Sequence, residues 1–138
     1  MLEASVIKSL SGLPAFLTYF GLAAAYLAVF LFVYIKITPY REIALIRSGN
    51  PAAAASLGGA MLGFAIPLAS AISHSVGLID MLIWALIALV VQLGAFFVAR
   101  LILPNVAEDI PAGMVASGVF VGGLSLAVGI LNAAAMTY

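Results

Sequence analysis

The sequence has no cysteine, a single histidine and very little charge. Without cysteine there is no disulfide, no thiolate metal site and no thiol nucleophile, and the redox compartment stays open. With His74 as the only histidine, a multi-histidine metal site is excluded. Charged residues make up 7% of the chain, where a soluble domain carries about 25%. Five Lys/Arg balance five Asp/Glu, so there is no basic field for nucleic acid and no acidic tail. Nothing resembles a nucleophile–base pair, a metal cluster, a phosphate loop or a nucleotide site, so neither an enzyme nor a bound cofactor is expected.

What the chain does have is apolar surface. It is 66% hydrophobic, against roughly 45–50% in soluble proteins. A single 138-residue domain could not cover that much apolar surface in water. A lipid bilayer, itself an apolar solvent, removes the difficulty. A spanning helix needs about 20 apolar residues. The charged residues leave four uncharged stretches, 9–35, 48–79, 81–99 and 110–138, each long enough for one helix. The fold class is therefore all-α integral membrane, with four transmembrane helices near 14–35, 52–72, 81–103 and 112–136 in one membrane domain, 1–138.

The boundaries have local causes. Pro14 fits the first turn of a helix, where its missing N–H is not needed. Pro39 and Pro104 follow the first and third helices and block their continuation. Ser48-Gly49-Asn50-Pro51 is turn chemistry leading into the second helix, and Ile110-Pro111 does the same for the fourth. The short 73–79 link makes the second and third helices antiparallel neighbours. At the N-terminus, Lys8, an apolar run and Ala23-Ala24-Ala25 loosely imitate a signal peptide. The apolar run continues through 26–34, so an uncleaved first helix is expected.

Orientation follows from basic residues in short loops. Lys36, Arg41, Arg47 and Arg100 flank the loops after the first and third helices, while Lys8 stands alone on the other side. The 36–51 and 104–111 loops are thus expected in the cytoplasm, with both termini and the His74 loop outside. Tyr19, Trp84 and Tyr138 then suit the outer interface, and Tyr34 and Tyr40 the inner one.

The halves resemble each other. Ile37-Thr38-Pro39 matches Ile102-Leu103-Pro104 at an offset of 65, and Gly58-Gly59 matches Gly122-Gly123 at an offset of 64. Each unit, about 14–72 and 81–136, is a helix, a loop and a Gly/Ala-rich helix. Two helices per unit make the tandem repeats parallel, related by an axis along the membrane normal. Ile37-Thr38-Pro39-Tyr40-Arg41-Glu42 followed by Arg47-Ser48-Gly49-Asn50-Pro51 resembles the domain-of-unknown-function 350 family, the YjfL-like bacterial inner-membrane proteins. So do Gly63-Phe64-Ala65-Ile66-Pro67-Leu68, the stretch from Trp84 to Gln92, and Gly129-Ile130-Leu131-Asn132-Ala133. The resemblance runs from about Leu17 to Thr137. It implies a tandem two-helix repeat in the bacterial inner membrane and brings no established activity or catalytic residue.

Several residues carry candidate roles. Ala55, Gly59 and Gly63 in the second helix, and Gly118 and Gly122 in the fourth, follow small-residue spacing that lets backbones approach in a bilayer. The seam serves packing within one chain or a dimer. Pro67 inside the second helix frees the carbonyl of Gly63, and Asn132 at similar depth offers an amide to satisfy it. Gln92, midway along the third helix, should face protein or water, as interhelical glue or as part of a path. Asp80 caps the third helix, and His74 is a solvated loop residue unless it pairs with Asp80. The 36–51 loop reads as a short helix over 40–47 with Arg41, Glu42 and Arg47 polar, attracted to anionic lipid or docking a cytoplasmic protein partner.

These features point to a non-enzymatic oligomeric scaffold or accessory subunit, partnered by the lipid bilayer and by further copies of itself. The alternative is a small channel or transporter formed by an oligomer and lined by Gln92 and Asn132. An enzyme acting on lipid is least supported, because the charged residues are scattered over opposite faces. The orientation has a direct check in this cysteine-free chain. A membrane-impermeant thiol reagent added to whole cells should label Ser75→Cys and miss Ser48→Cys, and the reverse pattern would overturn the orientation.

Overall fold

The computed structural model describes residues 1–136, so the interfacial role expected of Tyr138 lies outside the described residues. Seven helices run in the order α1 (Leu2–Leu10), α2 (Leu13–Ile37), α3 (Glu42–Arg47), α4 (Pro51–His74), α5 (Leu78–Ile102), α6 (Val106–Asp109) and α7 (Val115–Ala135), and the described residues contain no strand. Four runs are long and apolar enough to cross a membrane: Leu2–Ile37, α4, α5 and α7. The first is longer than expected, because α1 precedes α2 with only Ser11 and Gly12 between them. A helix, a short helix and a second long helix occur twice, as α2–α3–α4 and α5–α6–α7.

The turns show why the helices end where they do. Pro39 holds Thr38 extended, at φ −69° and ψ 136°, which stops α2. Gly49 has φ +89° and closes α3: its N–H donates to the Ile46 carbonyl at 3.0 Å while the Asn50 N–H reaches Leu45 at 2.9 Å. This paired closure requires a left-handed residue, which glycine adopts without penalty. Asn50 then caps α4, accepting from the Ala53 N–H at 3.0 Å, with Pro51 in the first turn. Its amide nitrogen donates to the Ile110 carbonyl at 2.8 Å and so ties the first connecting loop to the second. Gly113, at φ +81°, repeats the closure, with Gly113 N–H to Ile110 and Met114 N–H to Asp109, both at 3.0 Å. That turn occupies the residues expected to open the last helix, so α7 starts at Val115 rather than at 112.

α4 is the central element and packs against α7, α5, α2 and α3. It buries two positions in most turns, such as Ala52 with Ala53 and Phe64 with Gly63. α5 presents one stripe, Met81, Ala85, Ala88, Gln92, Ala95 and Ala99, at alternating four- and three-residue steps. α2 is held at three places. The Tyr26 hydroxyl donates to the Leu82 carbonyl at 2.6 Å, Phe30 stacks on Phe64 at 4.8 Å between centroids, and Tyr34 meets the edge of Phe96 at 5.7 Å. Nearer its start α2 leans away from α4, leaving an apolar cleft of about 370 Å³ between Phe16, Tyr19, Phe20 and Ile72.

The closest packing is between α4 and α7. A methyl group on Gly59 would collide with the Gly122 backbone, one on Gly118 with Ala52, and one on Gly129 with Gly63. A methyl on Gly122 would strike the Ala55 carbonyl. All five small residues singled out from spacing therefore lie on this seam, between two helices of one chain. The matched glycine pairs divide differently from the sequence reading: Gly58 and Gly123 point into open space. Replacing Gly59 with Ala should lower stability by about 1–3 kcal/mol through overpacking. Gly58→Ala and Gly123→Ala should be neutral, or gain up to about 1 kcal/mol from helix propensity. Melting temperatures in lipid nanodiscs check this, and equal losses at positions 58 and 59 would contradict the seam.

Candidate functional site

The polar atoms buried without a hydrogen-bond partner identify two places in the bundle. Among the described residues these atoms are both carboxylate oxygens of Glu42, the hydroxyls of Tyr34 and Tyr40, the side-chain oxygen of Gln92 and the amide nitrogen of Asn132. Buried polar groups are normally satisfied, so each such atom calls for an explanation.

The first place lies at the α3 end of the bundle. Pro39 turns the chain sharply after α2, and the six-residue α3 folds back over the end of α4. This brings Glu42 inside, with 0% of its surface exposed, while Arg41 and Arg47 stay outside. Of Arg41, Glu42 and Arg47, read together as the polar residues of the short helix, Glu42 lies on its buried side. Tyr34 from α2 and Tyr40 from the connecting loop stand within electrostatic reach of the Glu42 carboxyl. Both are buried, so their rings pack against their own chain rather than facing outward. Thr38 lies beside the carboxyl while its hydroxyl donates to the Ile35 carbonyl at 3.1 Å. Ser56 lies beside Tyr40, with its hydroxyl 3.3 Å from the Ala53 carbonyl. Arg100, exposed on α5, bears on Tyr40 by its charge.

Burial lifts the Glu42 carboxyl from 4.5 to about 7, with Thr38 pulling the other way. Burial, and then the charge of Glu42, pushes the Tyr40 hydroxyl upward. The site is a buried set of oxygens built round one carboxyl. No sequence pattern flagged it, because Glu42 reads as one of three polar residues on an exposed turn. The available signal was Pro39, which sends the chain back onto the bundle.

The second place is the junction of α4, α5 and α7. Gln92 is 1% exposed, and its amide nitrogen donates to the Ser125 carbonyl at 2.7 Å. A methyl on Gly63 would strike that same amide nitrogen, so the side chain lies across both seam helices. The Gly63 carbonyl freed by Pro67 sits over Gly129 rather than Asn132. Asn132, partly buried, leaves its amide nitrogen without a partner, so the expected Asn132–Gly63 bond does not form.

The remaining candidates have local partners. Asp80 accepts from the Val76 N–H at 3.0 Å, reaching back past the start of α5 as a carboxylate in a first turn can. His74 is exposed, with its Nδ1 3.0 Å from the Ser70 carbonyl. The Ser70 hydroxyl is in turn 3.3 Å from the Ala133 carbonyl. Neither His74 nor Asp80 uses the other. The structure adds one pair that sequence reasoning missed, the Ser117 hydroxyl donating to Asp109 at 2.9 Å.

The raised Glu42 value fixes a sign for pH dependence. The folded state holds that proton more tightly than the unfolded chain. The resulting stability is fully present below about 4.5 and is lost as pH rises through about 7. With choline as the only added cation, the wild type should lose on the order of 3 kcal/mol between roughly pH 5 and 8, and Glu42→Gln should lose much less. Superimposable pH–stability curves for the two proteins would contradict the buried carboxyl.

Comparison with known proteins follows the same lines. Residues 8–136 match the family model described as Domain of Unknown Function (DUF350). The chain is 44% identical over 129 residues to the UPF0719 inner membrane protein YjfL of Escherichia coli (strain K12), covering 94% of this chain and 98% of that protein. It is 31% identical over 91 residues to the UPF0719 transmembrane protein YshE of Bacillus subtilis (strain 168), covering 66% and 68%. No solved structure matches the chain. With four apolar spans and inner-membrane relatives, this is a multi-pass inner-membrane protein, and it belongs to the DUF350 family.

Proposed function

We propose that the chain is a non-enzymatic scaffold or accessory subunit that works as a homo-oligomer in the inner membrane. The observation that carries this reading is the uneven packing of the four spans. In its most apolar window the first span buries only 6% of its residues against its own chain, where α4 buries 44%. Phe16, Leu17 and Phe20 of α2 point outward, beside the apolar cleft that α2 leaves against α4. A second copy of the chain would cover this face. The seam between α4 and α7 is occupied within one chain, so contact between copies belongs to α1 and α2.

Sidedness is part of the proposal. The 36–51 and 104–111 loops face the cytoplasm, and the termini and His74 face outward, by the four-to-one division of basic residues. The two halves are parallel repeats. The left-handed glycines Gly49 and Gly113 support this, since they close equivalent turns with the same pair of hydrogen bonds. Exposed Arg41 and Arg47, with Ile43 and Ala44 between them, suit a cytoplasmic protein partner.

The channel reading draws less support. Gln92 spends its amide nitrogen on the Ser125 carbonyl, and the Gly59 and Gly122 backbones leave no room between them for a path. The expected result is an oligomer in native-lipid nanodiscs, with Phe16→Cys cross-linking between copies. The purified wild type should carry no ion flux in liposomes, and Gln92→Leu should assemble near-normally. A monomer in native lipid would sink the scaffold. Wild-type flux abolished in a well-assembled Gln92→Leu variant would replace the scaffold with the channel.

A further inference from the structure

The Glu42 site poses a problem that packing alone does not solve. Four buried oxygens, two from the carboxylate and one each from Tyr34 and Tyr40, lack hydrogen-bond partners among the described residues. They come from three successive parts of the chain, α2, the loop after it and α3. Thr38 and Ser56 add two hydroxyls beside them, and each donates toward a backbone carbonyl of its own segment, to Ile35 and Ala53. Each also lies within hydrogen-bonding reach of the set, Thr38 of the Glu42 carboxyl and Ser56 of the Tyr40 hydroxyl. An ionised carboxylate buried without a counter-charge costs several kcal/mol. A proton would remove that charge; a small cation would remove it too and would also take lone pairs from the hydroxyls grouped round the carboxylate.

We propose that the Glu42 carboxylate, with the hydroxyls of Tyr34 and Tyr40 and with Thr38 and Ser56 beside them, binds one monovalent cation of sodium's size and hardness. Every donor is a hard oxygen, the ligand type of alkali and alkaline-earth ions rather than of transition metals. Charge selects within that class. One carboxylate neutralises one positive charge, and the described residues hold no group of three His, Cys, Asp or Glu that would suit a multivalent ion. A divalent ion would leave a net charge in a buried site. The charged group bearing on the cluster from α5 is Arg100, which acts on Tyr40 and remains exposed. From α3, Arg41 and Arg47 also point outward, and α4 contributes the neutral Ser56. The ion would pin α3 and the turn at Pro39 to the end of the bundle, so its binding sets how firmly the Arg41–Arg47 surface is held.

A proton and the ion compete for the same carboxylate, which gives the test its form. Purified protein is melted in choline chloride at pH 8.5 while NaCl replaces choline at constant ionic strength, and ²³Na line broadening is recorded on the same samples. Sodium should raise the melting temperature saturably, and its apparent affinity should fall roughly tenfold per pH unit below about 7. Glu42→Gln should fold and lose both the shift and the broadening. Tyr34→Phe, which keeps the ring packing against Phe96, should bind sodium several-fold more weakly. Equal melting in sodium and choline at pH 8.5, with no displaceable broadening in the wild type, overturns the proposal, and pH dependence alone would mean that only a proton is bound. If Glu42→Gln does not fold, the wild-type broadening and the Tyr34→Phe comparison decide. None of these readouts depends on the oligomeric state.

Discussion

Backbone contact between α4 and α7 is the constraint on which the rest of the molecule depends. In a bilayer, apolar side chains gain little by leaving lipid for protein, so helices associate through close packing and polar contacts. Gly59 against Gly122, Gly63 against Gly129 and Ala52 against Gly118 bring two backbones together along the seam. Close approach of this kind places carbonyls against Cα–H groups, each a weak attraction that recurs in register. It also lets Gln92 of α5 reach the Ser125 carbonyl, so the third helix is fastened to the pair by a hydrogen bond in the interior. α2 is held through aromatic contacts at Phe30 and Tyr34 and one hydroxyl at Tyr26.

The polar groups divide according to what this packing leaves them. Gln92 serves the junction of three helices and has half of its amide matched. Glu42 is carried inside by the turn at Pro39, onto the end of α4, while Arg41, Arg47 and Arg100 stay exposed. The same turn holds Arg41 and Arg47 outside. One short loop therefore combines a buried carboxyl with an exposed basic surface.

Much of the fold was legible in the sequence because its determinants are local. The spaces between charges marked the spans, Pro39, Asn50-Pro51 and the glycine spacings marked turns and seam, and family resemblance agreed. The errors arose where a partner distant in sequence decides the outcome. Whether Glu42 faces water or protein depends on where a six-residue helix lands. Nothing in the sequence near Tyr34 and Tyr40 shows that their own chain covers them, as Phe30 and Phe96 do for Tyr34. Gly58 and Gly59 are identical in type, but 100° of helix rotation puts one in open space and the other on a backbone. Asn132 sits at a suitable depth, but depth does not fix direction.

The bundle depends on the seam being formed within a single chain. Solid-state NMR of the protein in native lipid, ¹³C-labelled at glycine Cα, reads this directly through Gly59–Gly122 and Gly63–Gly129 correlations. Each correlation should persist, per labelled chain, when labelled protein is diluted with an excess of unlabelled protein before reconstitution. Correlations that fade in proportion to dilution would place the glycines between copies and contradict the bundle described here.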